Sequence, residues 1–142
     1  MSTSGKRIVR RYFEDLLNGH RLDAVDEIMT PDCALWAPVM PIEMRGADVF
    51  RQMLAGFHVS FPDLHFAVHD LLAEGDRVVG SWTMEGTHEG EWLGVPATGR
   101  RLSVTGVDIF QITNGRIARI EIQADYLGAM RQMGALGNSA SV

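Results

Sequence analysis

The chain has 142 residues, of which 46% are hydrophobic and 22% charged, with a net charge of −5. That length suits one domain with a substantial core, and the composition is that of a folded protein rather than a disordered one. Its basic residues form no run beyond the pairs Arg10-Arg11 and Arg100-Arg101, and no apolar run approaches the roughly 20 residues of a membrane span, so neither nucleic acid nor a bilayer is an expected partner.

In chain order, the opening MSTSGKRIVRRYFEDLL lacks the uninterrupted apolar stretch of a signal peptide, which makes the cytoplasm the expected compartment. From Lys6 to Leu17 the spacing of Val9, Phe13, Leu16 and Leu17 predicts a helix with an apolar face, stopped at Asn18-Gly19. A shorter helix carries Leu22, Val25, Ile28 and Met29 and is expected to break at Thr30-Pro31-Asp32. The segment CALWAPVM then reads as a short or edge strand ended by Pro38 and Pro41. Its lone Cys33 excludes an internal disulfide and is expected to be a buried thiol. Gly46 opens a third helix through Val49, Phe50, Met53, Leu54 and Phe57, closed before Phe61-Pro62-Asp63.

Beyond that point the period changes to two. LHFAVHDLLAEGDRVVGSWTMEGTH predicts two strands joined at Glu74-Gly75-Asp76, and VTGVDIFQITNGRIARIEIQAD predicts a hairpin turning at Asn114-Gly115. A two-residue turn there would place Asp108 opposite Glu121, Gly106 opposite Gln123 and Val104 opposite Asp125. One face would then mix Leu102, Val104, Phe110, Ile112 and Ile117 with Asp108, Arg119, Glu121, Gln123 and Asp125, as in the wall of a polar-tipped pocket. The other would be mostly aliphatic, with Val107, Ile109, Ala118, Ile120 and Ile122. A last helix from Tyr126 to Met133 ends at Gly134, giving one domain over residues 1–134 and a flexible small-residue tail over 135–142. Helices first and an antiparallel meander afterwards predict an α+β fold: a curved antiparallel sheet wrapped by helices into a cone.

The phosphate-loop, dinucleotide-binding and nucleophile-elbow motifs are all missing. His65 and His69 share a strand face about 13 Å apart, too far for one metal ion, so no metal is expected. His88 lies in the glycine-rich loop GTHEGEWLGVPATGRR, a candidate pocket rim, with a solvated loop imidazole as the competing reading. Trp36, Trp82 and Trp92 offer broad walls for a flat ligand, with ordinary packing as the competing reading for each. Paired acids carry the sharpest chemical expectation, because a carboxyl in an apolar cavity is pushed toward neutrality and can exchange protons there. Asp108 with Asp125 or Glu121 fits that role, and an ion pair of Asp108 or Glu121 with Arg119 is the competing arrangement.

The stretch Gly86–Gly134, with G-T-H-x-G-x-x-x-G-x-P-x-T-G, a G-x-D-I-F strand, an N-G hairpin and an acid before a leucine-glycine helix, resembles SnoaL-like proteins of the nuclear-transport-factor-2-like superfamily. GDRVVGSWT and FPDLHF upstream extend the resemblance over nearly the whole chain. It implies a cone-shaped homodimer or homotetramer and cofactor-free polyketide cyclase activity, an aldol-type ring closure of a hydrophobic carbonyl-bearing molecule. Carried over by motif, Asp108 and Asp125 become the catalytic candidates, with His88 at the pocket; Trp36, Trp82, Trp92, Tyr12 and Glu121 complete the substrate-binding candidates. The chain departs from the namesakes by holding Asp108 where they carry a strand histidine, and Ile120, Glu121 and Ile122 where many relatives carry a histidine, tryptophan or acid. Isomerisation, epoxide opening by Asp108, Arg119 and Glu121, and non-catalytic ligand binding are the alternatives that the same superfamily implies.

Overall fold

The computed structural model describes residues 2–136; the tail expected over 135–142 lies mostly outside them. Helix α1 (Ser2–Arg11) runs on into wider π-helical turns over Tyr12–Asn18, and the buried residues Val9, Tyr12, Phe13, Leu16 and Leu17 form its inward stripe. Gly19 follows because a side chain there would press on the carbonyl oxygens of Glu14 and Asp15. A short 3₁₀ turn (Leu22–Ala24) and α2 (Val25–Ile28) lead directly into β1 (Met29–Trp36). The strand therefore starts four residues before Cys33, through Thr30-Pro31-Asp32 where a break was expected. Pro31 falls where the pairing of β1 is irregular, between Met29 and Ala34, so its missing N–H costs no ladder bond there. β2 (Met44–Arg45) and α3 (Ala47–Ser60) follow, then the strands β3 (His65–Glu74), β4 (Arg77–Thr87), β5 (Arg101–Thr113) and β6 (Arg116–Ala124), and finally α4 (Tyr126–Gln132).

The six strands form one curved, unclosed sheet in the order β2-β1-β6-β5-β4-β3. All neighbours are antiparallel except β1 and β6, the first long strand and the last, which run parallel. Helices α1 and α3 pack against the inner face, and Phe13, Phe50, Phe61, Phe110, Leu102, Ile117 and Ile120 are fully enclosed between the layers. Asn18 ties the first helical segment to the sheet by a two-way amide bond with Phe66, donating to its carbonyl at 3.0 Å and accepting from its N–H at 2.7 Å. No helix among the described residues is long and apolar enough to cross a membrane.

Asn114 and Gly115 take positive φ angles of 50° and 78°, the pair that a two-residue type I′ turn needs. Thr113 pairs with Arg116 as the turn demands, but the register then slips: Ile112 faces Ile117 and Gln111 faces Arg119, leaving Ala118 as an extra residue. This β-bulge moves every later pair by one. Asp108 lies opposite Ile122, not Glu121, and Ile109 takes Glu121. Because side chains alternate across a strand, the slip turns Ile120 and Ile122 to the inner face with Asp108 and turns Arg119 and Glu121 to the outer face. The sequence expectation was thus correct for β5 and for Ile117 before the bulge, and inverted for β6 beyond it.

Candidate active site

A cavity of about 420 Å³ opens between the sheet and the helices. Strands β4, β5 and β6 supply Trp82, Met84, Val104, Asp108 and Ile122 to its wall, and the helices supply Tyr12, Phe50, Leu54 and Phe57. Val39, Met40 and Met53 also line it, and Val39 and Met53 are exposed to solvent as well. Tyr126, the first residue of α4, also faces the space. Among the described residues, lysine, arginine and histidine contribute nothing to this lining, and Asp108 and Glu91 are its two acids. Such a surface suits an uncharged, flat, largely apolar molecule with a few oxygen atoms.

Asp108 reaches the cavity through the alternation of β5, which also buries Leu102, Val104 and Phe110 on the inner side. Its cross-strand neighbours are Gly80 on β4 and Ile122 on β6, so nothing polar stands directly beside it in the sheet. Gly80 leaves room for Leu71, whose Cδ2 would lie 2.9 Å from any Cβ at that position. With only 2% of its surface exposed, the carboxyl is stripped of water, and that desolvation pushes it up from 3.8 to about 7. The indole N–H of Trp82 opposes the rise, although neither Trp82 Nε1 nor Asp108 Oδ1 completes a hydrogen bond. Burial raises the Tyr12 hydroxyl well above its usual value and the Tyr126 hydroxyl to about 12, in both cases reinforced by Asp108. Both phenols therefore stay protonated donors beside an acid poised near neutrality.

The eight residues singled out from sequence divide into two groups. Tyr12, Trp82, Trp92 and Asp108 meet in the cavity wall. Trp36 and Glu121 are neighbours in the β1–β6 pair and lie on the outer face, since the adjacent pair Leu35–Ile120 points inward. Asp125 is exposed and outside the cavity lining. It occupies the N-cap of α4, where its Oδ1 accepts the Gly128 N–H at 2.8 Å, and the lack of a side chain at Gly128 lets the carboxylate fold over it. Replacing Asp125 by alanine is expected to cost about 1 kcal/mol of stability in thermal unfolding while leaving turnover nearly intact. His88 is wholly buried but does not line the cavity. Its Nδ1 meets Thr98 Oγ1 at 2.9 Å, its ring stacks on Phe61, and its backbone bonds to Gly99 and Arg100, so it pins the base of the loop that carries Trp92 inward. Arg119 pairs with Glu43 on the outer side, which removes it as a partner of Asp108 and separates the trio an epoxide-opening site would need.

Among the lining residues outside the sequence candidates is Tyr126. It stands in the same QADYLG motif as Asp125, and the signal was the order of the two: an N-cap acid leaves the first helical residue to turn inward.

The fold is shared with solved structures. TsrD from Streptomyces laurentii superimposes with a TM-score of 0.84 at 31% identity, over 95% of this chain and 98% of that one. A SnoaL-like protein from Jannaschia sp. CCS1 gives 0.87 at 26% identity, over 94% of each chain. In sequence, the chain is 29% identical over 132 residues to the aklanonic acid methyl ester cyclase DnrD of Streptomyces peucetius, covering 89% of this chain and 88% of that protein. It is 29% identical over 118 residues to the nogalonic acid methyl ester cyclase of Streptomyces nogalater, covering 82% and 88%. The sequence profile of SnoaL-like polyketide cyclases matches residues 7–133, and the chain belongs to that family.

Proposed function

We propose that the protein closes a ring in a hydrophobic, carbonyl-bearing polyketide by an intramolecular aldol reaction, with Asp108 as the general base. The observation that carries this reading is a carboxyl near neutrality, walled by apolar side chains and faced by two phenols. In its ionised form Asp108 takes the proton from a carbon next to a carbonyl, and the resulting enolate carbon bonds to a second carbonyl of the same molecule. The electron pair of that carbonyl becomes an alkoxide, which recovers the proton, so product and substrate have the same mass. Tyr12 and Tyr126 are placed to donate hydrogen bonds to oxygen as charge develops on it. Trp82 and Trp92 hold the flat body of the substrate. Every step uses side chains alone. The proposal keeps Asp125 as a cap and His88 as a loop anchor. It also places the protein in the cytoplasm as a homodimer or homotetramer, with the outer apolar residues Val79, Val107 and Ile109 available for assembly.

The relatives' names point to the test: aklanonic and nogalonic acid methyl esters are the first compounds to incubate with the protein. Conversion of either to a cyclised product of unchanged mass, with a rate that rises with pH through about 7, is the expected result. Substrate that binds without turnover at any pH, and without exchanging its α-protons for solvent deuterium, would assign the cavity to ligand binding alone. Tyr126→Phe is expected to lower kcat about tenfold with little change in KM, the mark of a donor used mainly in the transition state.

A further inference from the structure

The G-V-D segment of β5 holds a feature that acid/base chemistry alone does not explain. Gly106 pairs directly with Trp82 on β4, and the indole occupies the space that a side chain at position 106 would take. A Cβ at position 106 would sit 2.3 Å from Trp82 Cζ2 and 2.4 Å from Cη2, distances no side chain accommodates. The ring cannot retreat easily, because Phe66 packs edge-on against it at 4.9 Å. Asp108 is two residues further along the same inner face, and Trp82 Nε1 is a fully buried N–H with no acceptor. A buried donor without a partner costs stability, and here it lies next to a buried carboxyl oxygen that also lacks one.

We propose that Trp82 Nε1 is a reserve donor that closes on Asp108 when the carboxyl ionises, and that position 106 is glycine so that the indole can lie within reach. This rests on the reading of Asp108 as the proton acceptor. In the resting acid the two groups need no tight bond, since a protonated carboxyl is a weak acceptor. In the ionised form the indole N–H is the donor that the sheet supplies to the carboxylate, while Tyr12 from the first helical segment and Tyr126 from α4 line the same cavity and interact with its charge. Glu91 is the other acid of the lining, and no cation lines it to compete for the charge. Gly106 is then a positioning residue, acting on the reaction through Trp82 and Asp108.

The test is an NMR titration of the intact protein that follows the three indole Nε1–H signals, with Trp82 identified by elimination using Trp36→Phe and Trp92→Phe. The Trp82 signal is expected to move downfield as pH rises, with the same midpoint as the Asp108 carboxyl, and to stay fixed in Asp108→Asn. In Trp82→Phe, and in Gly106→Ala with its tryptophan intact, the Asp108 midpoint should rise by about one pH unit, and the rising limb of the pH–rate curve with it. A Trp82 signal that ignores pH while Asp108 titrates would overturn the proposal, even if neither cavity variant folds. So would an Asp108 midpoint unchanged in both variants. Turnover retained by Asp108→Asn would instead remove the acid/base reading, an outcome separate from the indole titration.

Discussion

Asp108→Asn is expected to lower kcat by about 10²- to 10⁴-fold, the usual worth of a positioned general base, while making the protein more stable at alkaline pH. The two effects share one cause. In the unfolded chain the carboxyl titrates near 3.8, and in the folded protein near 7, so the folded state binds this proton more tightly. Below about pH 4 the group is protonated in both states and contributes no difference. Between those values a rise in pH ionises the unfolded chain first and draws the equilibrium toward it. Above about 7 the loss levels off, at on the order of 4 kcal/mol for a gap of about 3 pH units at 1.36 kcal/mol each. Asparagine has no proton to lose, so the variant's advantage should grow with pH across that window and vanish at its acid end. Chemical unfolding at several pH values, paired with steady-state kinetics, reads both. A substitution that stabilises the fold and removes activity marks a site where stability has been given up for chemistry.

The second large effect is structural. Phe110→Ala should destabilise the protein by about 3–5 kcal/mol, because the ring is fully buried and its removal leaves a cavity that the sheet cannot close. The ring also holds the site. It meets Tyr12 edge-on at 5.4 Å and Phe13 edge-on at 5.9 Å, and it stands next to Asp108 on the inner face of β5. Loss of the ring should therefore loosen Tyr12 and reduce turnover even at temperatures where the variant remains folded. Phe110→Leu, which refills most of the volume, should recover most of the stability. Denaturant midpoints for the two variants separate the packing contribution from the positioning of Tyr12.

What could be read from the sequence and what could not is clearest along the last hairpin. Asn114-Gly115 announced the turn because few other residue pairs tolerate two consecutive positive φ angles, and the side-chain alternation of β5 followed from it. The bulge at Ala118 had no such signature. Alanine fits a regular strand as well as an irregular one, and one extra residue was enough to send Glu121 outward and bring Ile122 inward. Asp108 stayed in the cavity because it lies on the strand whose facing did not depend on that slip. Neither candidate for a second acid reaches the cavity. Glu121 went to the far side, and Asp125 fell beyond the end of β6, where an aspartate satisfies helix N–H groups. His88 illustrates a different limit. Composition identified a special loop, but only the packing of Phe61 and the contact to Thr98 show the imidazole holding that loop from within. Trp36 and Trp82 are both strand tryptophans in apolar surroundings, and only the register decides which of them reaches the ligand space.

The central claim is that Asp108 is a carboxyl held near neutrality by an apolar cavity. A carboxyl-resolved NMR titration, with Asp108→Asn to identify the signal, measures it directly. The account predicts a midpoint of about 7, and a midpoint at or below 3.8, the value of a solvated or ion-paired aspartate, would contradict it.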